Sequence, residues 1–77
     1  MDRGMLERHL QQAEEHVALG RKHIARQLEI VAQLEGSGRD ASMARALLAT
    51  FQSTQETHEA DRNRLKQELA ALDRSSP

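Results

Sequence analysis

Seventy-seven residues allow one small domain, at a size where a single apolar core is marginal. Apolar residues make up 38 %, Phe51 is the one aromatic, and 30 % are charged with a net charge of -1, a balance that fits neither a thick globular core nor the high net charge of disorder. The absence of cysteine excludes disulfides, thiolate metal ligands and a thiol nucleophile.

No apolar run nears the ~20 residues that span a bilayer, and the opening "MDRGMLERHL" lacks the apolar stretch of a secretory signal. The expectation is a soluble, cytoplasmic protein. Its balanced charge gives no bulk attraction to nucleic acid or anionic lipid. Ala, Leu, Glu, Gln and Arg dominate the composition, and these are strong helix formers.

In chain order, the first element is a helix over about 3–35. Leu6, Leu10, Ala13, Val17, Gly20, Ile24, Gln27, Val31 and Leu34 succeed one another at strict 4,3 spacing, as in the seam of a coiled coil. Gly20 interrupts this seam at about 1 kcal/mol relative to Ala. His9, His16, His23 and Ile30 line one flank, whereas Glu7, Glu14, Arg21 and Glu35 line the other.

The segment "EGSGRDAS" then breaks the helix, with a turn expected at 36–39. Gly36 and Gly38 can take a left-handed terminal conformation, and Asp40 or Ser42 can cap the next helix. That second helix is expected over about 40–73, ending in a frayed C-terminal tail. Its seam is predicted at Ala44, Leu47, Phe51, Thr54, His58, Asp61, Leu65, Glu68 and Leu72. So short a turn makes the helices antiparallel, opposing Gly20 to His58, Ala13 to Leu65 and Gln27 to Phe51.

The fold expected over 1–77 is therefore an all-α, antiparallel two-helix hairpin. One partner helix covers only part of an apolar stripe about 100° wide. A homodimer forming a four-helix bundle is predicted for that reason. The flank with His9, His16 and His23 is favoured as the dimer face, with Met43, Ala46, Thr50, Ser53, Thr57 and Ala60 assigned to it from the second helix. The surface best suited to a protein partner is the apolar end near the turn: Leu28, Ile30, Leu34, Met43, Leu47, Leu48 and Phe51.

Chemistry is sparse. The three histidines of the first helix stand ~10 Å apart along the axis and cannot share one ion within a chain. The weak metal alternative is His16 with His58 and Asp61, an N/N/O set suited to zinc or iron. Otherwise no metal, cofactor or catalytic residue is assigned. The Ser and Thr residues lack the context of an activated nucleophile, so no enzyme is expected. Arg21, Lys22 and Arg26, and Arg62, Arg64 and Lys66, are interspersed with acids. They build no basic face, so nucleic acid is disfavoured as a partner. An RNA- or DNA-binding hairpin dimer, similar to Rop in shape only, stands as the alternative.

The segments "ERHLQQAEEHVALGRKHIARQLEIVAQLE" and "ARALLATFQSTQETHEADRNRL" carry His16, Gly20, His23, Ile24, Gln27, Ala44, Leu47, Leu48, Phe51, His58 and Arg62. In these positions the chain resembles a group of short, mainly alpha-proteobacterial helical-hairpin proteins of unknown function, over roughly residues 7–65. The resemblance implies no activity, cofactor or partner and transfers no site residue.

Overall fold

Asp2 opens the first helix. Its side chain accepts the Met5 backbone N–H at 2.8 Å, and α1 then runs over Arg3–Gly36. In the computed structural model, which describes residues 2–75, α1 and the second helix α2, Ser42–Ser75, form one antiparallel hairpin. The result is a rod of 63 × 15 × 14 Å.

The break between the helices is made by Gly38, not Gly36. Gly36 stays helical, and Gly38 adopts φ 70°, the left-handed region that favours glycine. The Gly38 N–H donates to Glu35 O at 3.1 Å and the Arg39 N–H to Leu34 O at 2.8 Å, the pair of bonds that closes a Schellman end. The turn therefore occupies 37–41. The second helix starts two residues later than expected because the Asp40 carboxylate sits ahead of it. Asp40 accepts the Ser42 N–H at 2.9 Å and its hydroxyl at 2.6 Å. Ala41, 2 % exposed, plugs the gap between the helices beneath this turn.

In α1 the seam lies where the 4,3 spacing puts it. Leu6, Ala13, Val17, Gln27 and Val31 are buried, with Leu10, Gly20, Ile24 and Leu34 half-buried between them. In α2 only alternate members of the predicted seam are in place. Ala44, Phe51, His58, Leu65 and Leu72 face α1, but the intervening positions fall one residue later. Leu48 replaces Leu47, Gln55 replaces Thr54 and Arg62 replaces Asp61, while Glu68 shares its layer with Leu69. The correction has a simple cause. A 3,4 and a 4,3 reading of one helix share every second seam residue, and they differ in which flank supplies the rest. Leu69 in place of Glu68 gives the observed reading one more apolar residue.

The opposition at Gly20 changes accordingly. Gly20 faces Gln55, not His58: a Cβ on Gly20 would overlap Gln55 Oε1 and lie 2.7 Å from Cδ. Gln55 lies in this gap and donates from Nε2 to Val17 O at 2.8 Å. Nearer the turn Gln27 reciprocates, donating from Nε2 to Ala44 O at 2.9 Å rather than meeting Phe51. Each helix thus sends one buried glutamine onto the backbone of the other. The apolar core proper sits at the open end, where Leu6, Ala13 and Leu65 are buried among Leu10, Leu69 and Leu72. The Arg3 guanidinium closes that end on Asp73 and Glu7, and the Asp73 hydrogen bond above all raises its already high pKa.

The Gly20–Gln55 contact and the Asp40 cap are each open to measurement. Gly20→Ala gains ~1 kcal/mol of helix propensity but displaces the Gln55 amide, and overpacking of that kind costs about 1–3 kcal/mol. Chemical denaturation should show a net loss in the wild-type background and a net gain when Gln55→Ala is also present, a coupling read by the double-mutant cycle. At the cap, the Ser42 hydroxyl, then the Ser42 backbone N–H, hold the Asp40 carboxyl below its ordinary value of 3.8. A lowered folded-state pKa gives stability that is full above the unfolded value and lost as pH falls through the folded one. Thermal scans between about pH 5 and pH 2 should therefore show a smaller acid-side fall in Tm for Asp40→Ala than for the wild type.

Candidate functional site

One long side of the rod is unlike the other. In the observed frame the flank of α1 with His9, His16, His23 and Ile30 meets the flank of α2 with Leu47, Thr54 and Asp61. The Met43, Ala46, Thr50, Ser53, Thr57 and Ala60 set expected beside the histidines is exposed and lies further round α2: Met43, Thr50 and Thr57 at the outer border of this side, and Ala46, Ser53 and Ala60 on the face opposite the seam. The shift results from the one-residue change in the α2 seam.

A groove of about 290 Å³ runs along the middle of this side. His16, Leu19, Gly20 and His23 form one wall, and Phe51, Thr54, Gln55 and His58 form the other. Two ring contacts hold the walls together. The His16 and His58 rings lie 5.1 Å apart, centroid to centroid, at 55° to each other. His23 meets Phe51 edge-on at 5.7 Å. A second groove continues toward the open end between His9, Gln12, His16, His58, Asp61 and Arg64.

His16, His58 and Asp61 thus border one concavity, but Asp61 pairs with Arg64 at 3.5 Å. Among the described residues no group of three or more His, Cys, Asp or Glu is placed to hold a metal ion. The Thr50 hydroxyl donates to Ala46 O at 3.2 Å, one turn earlier in its own helix, and not to an imidazole.

The apolar cluster expected near the turn divides. Ile30, Leu34, Leu48 and Phe51 are half-buried in or beside the seam. Met43 is 87 % exposed, Leu28 49 % and Leu47 44 %. Leu28 lies on the opposite flank from the other two, at heptad spacing from Glu14, Arg21 and Glu35. That flank is closed by charge, with Arg45 donating to Glu35 at 2.9 Å. Leu19, 54 % exposed, is a groove residue that the heptad reading passes over because it stands outside the a and d positions. The available signal is its helical proximity to two histidines, one turn after His16 and one turn before His23.

Of Arg21, Lys22, Arg26, Arg62, Arg64 and Lys66, two form ion pairs among the described residues. Arg26 pairs with Glu29 at 3.6 Å, and Arg64 bridges Asp61 and Glu68. No helix among the described residues is long and apolar enough to cross a membrane.

Phe51 is half-buried in the single hairpin, so Phe51→Ala should cost less than the ~3–5 kcal/mol of a fully buried aromatic, about 1–3 kcal/mol. Urea denaturation monitored by far-ultraviolet circular dichroism at low protein concentration measures it. A full-size loss there would mean that the ring is enclosed within one chain.

Compared with protein-family models, curated proteins and solved structures, the chain matches none.

Proposed function

We propose that this is a small cytoplasmic protein-interaction or regulatory module, binding rather than catalytic, whose histidine-bearing side docks a second copy to complete a four-helix bundle. The supporting observation is the distribution of exposed large apolar side chains. Of Met5, Leu19, Leu28, Met43 and Leu47, only Leu28 lies on the charged flank. The other four border the histidine side, on both helices and along its length.

The size of the face also fits. A side 63 Å long and 15 Å wide offers roughly 900 Å², against the ~800 Å² per partner of a standard stable interface. Scattered apolar residues are normal on a surface, but a one-sided set beside an apolar groove is the pattern of an interface. Covering this side also buries the remaining width of each helix's apolar stripe, which one partner helix leaves wet.

A nucleic-acid partner is less well supported. Arg26 and Arg64 pair with neighbouring acids, and Arg21, Lys22, Arg62 and Lys66 stand among Glu29, Glu59, Asp61 and Glu68 rather than on a face free of acids. A further protein partner would meet the bundle at its turn end, where Met43 is 87 % exposed.

Sedimentation equilibrium tests the reading. The wild type should be dimeric at micromolar concentration. Leu19→Glu and Leu47→Glu should each weaken association at least about tenfold, near 1.4 kcal/mol, and Leu28→Glu should leave it unchanged. A folded monomer throughout, or equal sensitivity on both flanks, would overturn the proposal.

A further inference from the structure

His16 and His58 are, among the described residues, the only imidazole pair in ring contact across the two helices. Their separation has a chemical meaning. With Zn–N bonds of ~2.0–2.1 Å at a tetrahedral angle, two imidazoles on one zinc stand about 5 Å apart, centroid to centroid. The observed centroid separation of 5.1 Å falls at that spacing, with the rings tilted 55° to each other. Two nitrogens alone make half a tetrahedral site, and among the described residues no third His, Asp or Glu of the same chain completes it.

A second copy can. His58 lies at the midpoint of α2, and His16 lies within one turn of the midpoint of α1. A two-fold axis across the middle of the rod brings this layer onto its own copy, and so does an axis along the rod between two histidine sides. In either arrangement the neighbouring histidine layers, ~10 Å away along the helix, lie too far off to contribute. Leu19 and Phe51 border the same groove and supply the apolar surround that keeps water from an interfacial ion.

Resting on the dimer proposed above, we infer that His16 and His58 from two copies form an interfacial four-histidine site for a zinc-class divalent cation. The ion ties two hairpins together and couples their association to metal supply. Neutral imidazole donors suit zinc and its neighbours, whereas magnesium prefers oxygen ligands.

The test is sedimentation equilibrium of the intact chain in EDTA, with Zn²⁺ and with Mg²⁺, for the wild type, His16→Gln, His58→Gln and the double control His9→Gln/His23→Gln. Zn²⁺ should tighten the dimer at least about tenfold by binding the dimer in preference to the monomer. One zinc should bind per two chains, Mg²⁺ should do nothing, and the effect should vanish in His16→Gln and His58→Gln but survive in the control. Circular dichroism confirms that each variant is helical.

A dimer in EDTA that ignores Zn²⁺, or whose response survives both single variants, overturns the metal site and leaves the dimer standing. Zinc bound one per chain without effect on association also overturns it. A monomer in EDTA that dimerises only with Zn²⁺ supports the site and makes the dimer conditional on metal. A monomer in every condition removes both.

Discussion

Two glutamines set the relation between the helices. Gln27 and Gln55 are buried in the seam at 6 % and 5 % exposure, and each donates its amide N–H to a carbonyl of the facing helix. An apolar seam of Leu, Val and Ala tolerates sliding by a turn, because one methyl packs much like another. An amide that must meet a particular carbonyl does not. Polar seam residues of this kind specify register at a cost in stability, and the cost is visible here: Gln55 Oε1 is buried without a hydrogen-bond partner. Gly20 belongs to the same device, since any side chain there would occupy the place of the Gln55 amide.

The register in turn decides which surfaces are left over. With Leu48, Gln55 and Arg62 turned toward α1, the residues just before them, Leu47, Thr54 and Asp61, lie beside the histidines. In the frame that uses those residues instead, His58 rather than Gln55 stands opposite Gly20. The apolar residues are also divided unevenly along the rod. The open end keeps its leucines inside, whereas the turn end leaves Met43 and Leu47 in solvent. The fold is thus self-sufficient at one end and unfinished at the other.

Much of this is legible in the residues themselves. The α1 seam is readable because each neighbour of Leu6, Ala13, Val17 and Val31 that could replace it is polar or lies off the stripe. In α2 the signal is divided: Leu47 and Leu48 are equally apolar, and Thr54 and Gln55 are equally polar. Only Leu69 beside Glu68 separates the two frames. The histidine side is identifiable from its α1 half alone. Its α2 half is misplaced by the sequence because it inherits the frame, and the His16–His58 contact depends on both helices at once. No spacing rule within one helix predicts a ring contact between residues 42 positions apart. The break after α1, made by Gly38, is by contrast local chemistry, and only the choice between two nearby glycines needs the structure.

The placement of the leucine cluster at the open end bears on how the chain reaches this state. Contacts near the turn join residues close in sequence, such as Glu35 and Arg45, ten positions apart, whereas Arg3 and Asp73 are separated by 70. Closing the longer loop from scratch is harder by about 1.7 kcal/mol of chain entropy, from the logarithmic growth of loop closure with length. Zipping outward from Gly38 divides that penalty into small steps, each layer shortening the loop left for the next. On that route the Gln27 layer near the turn and the Gln55 layer midway both form ahead of the leucines. A chain with its strongest apolar contacts beside the turn would gain speed and lose that order.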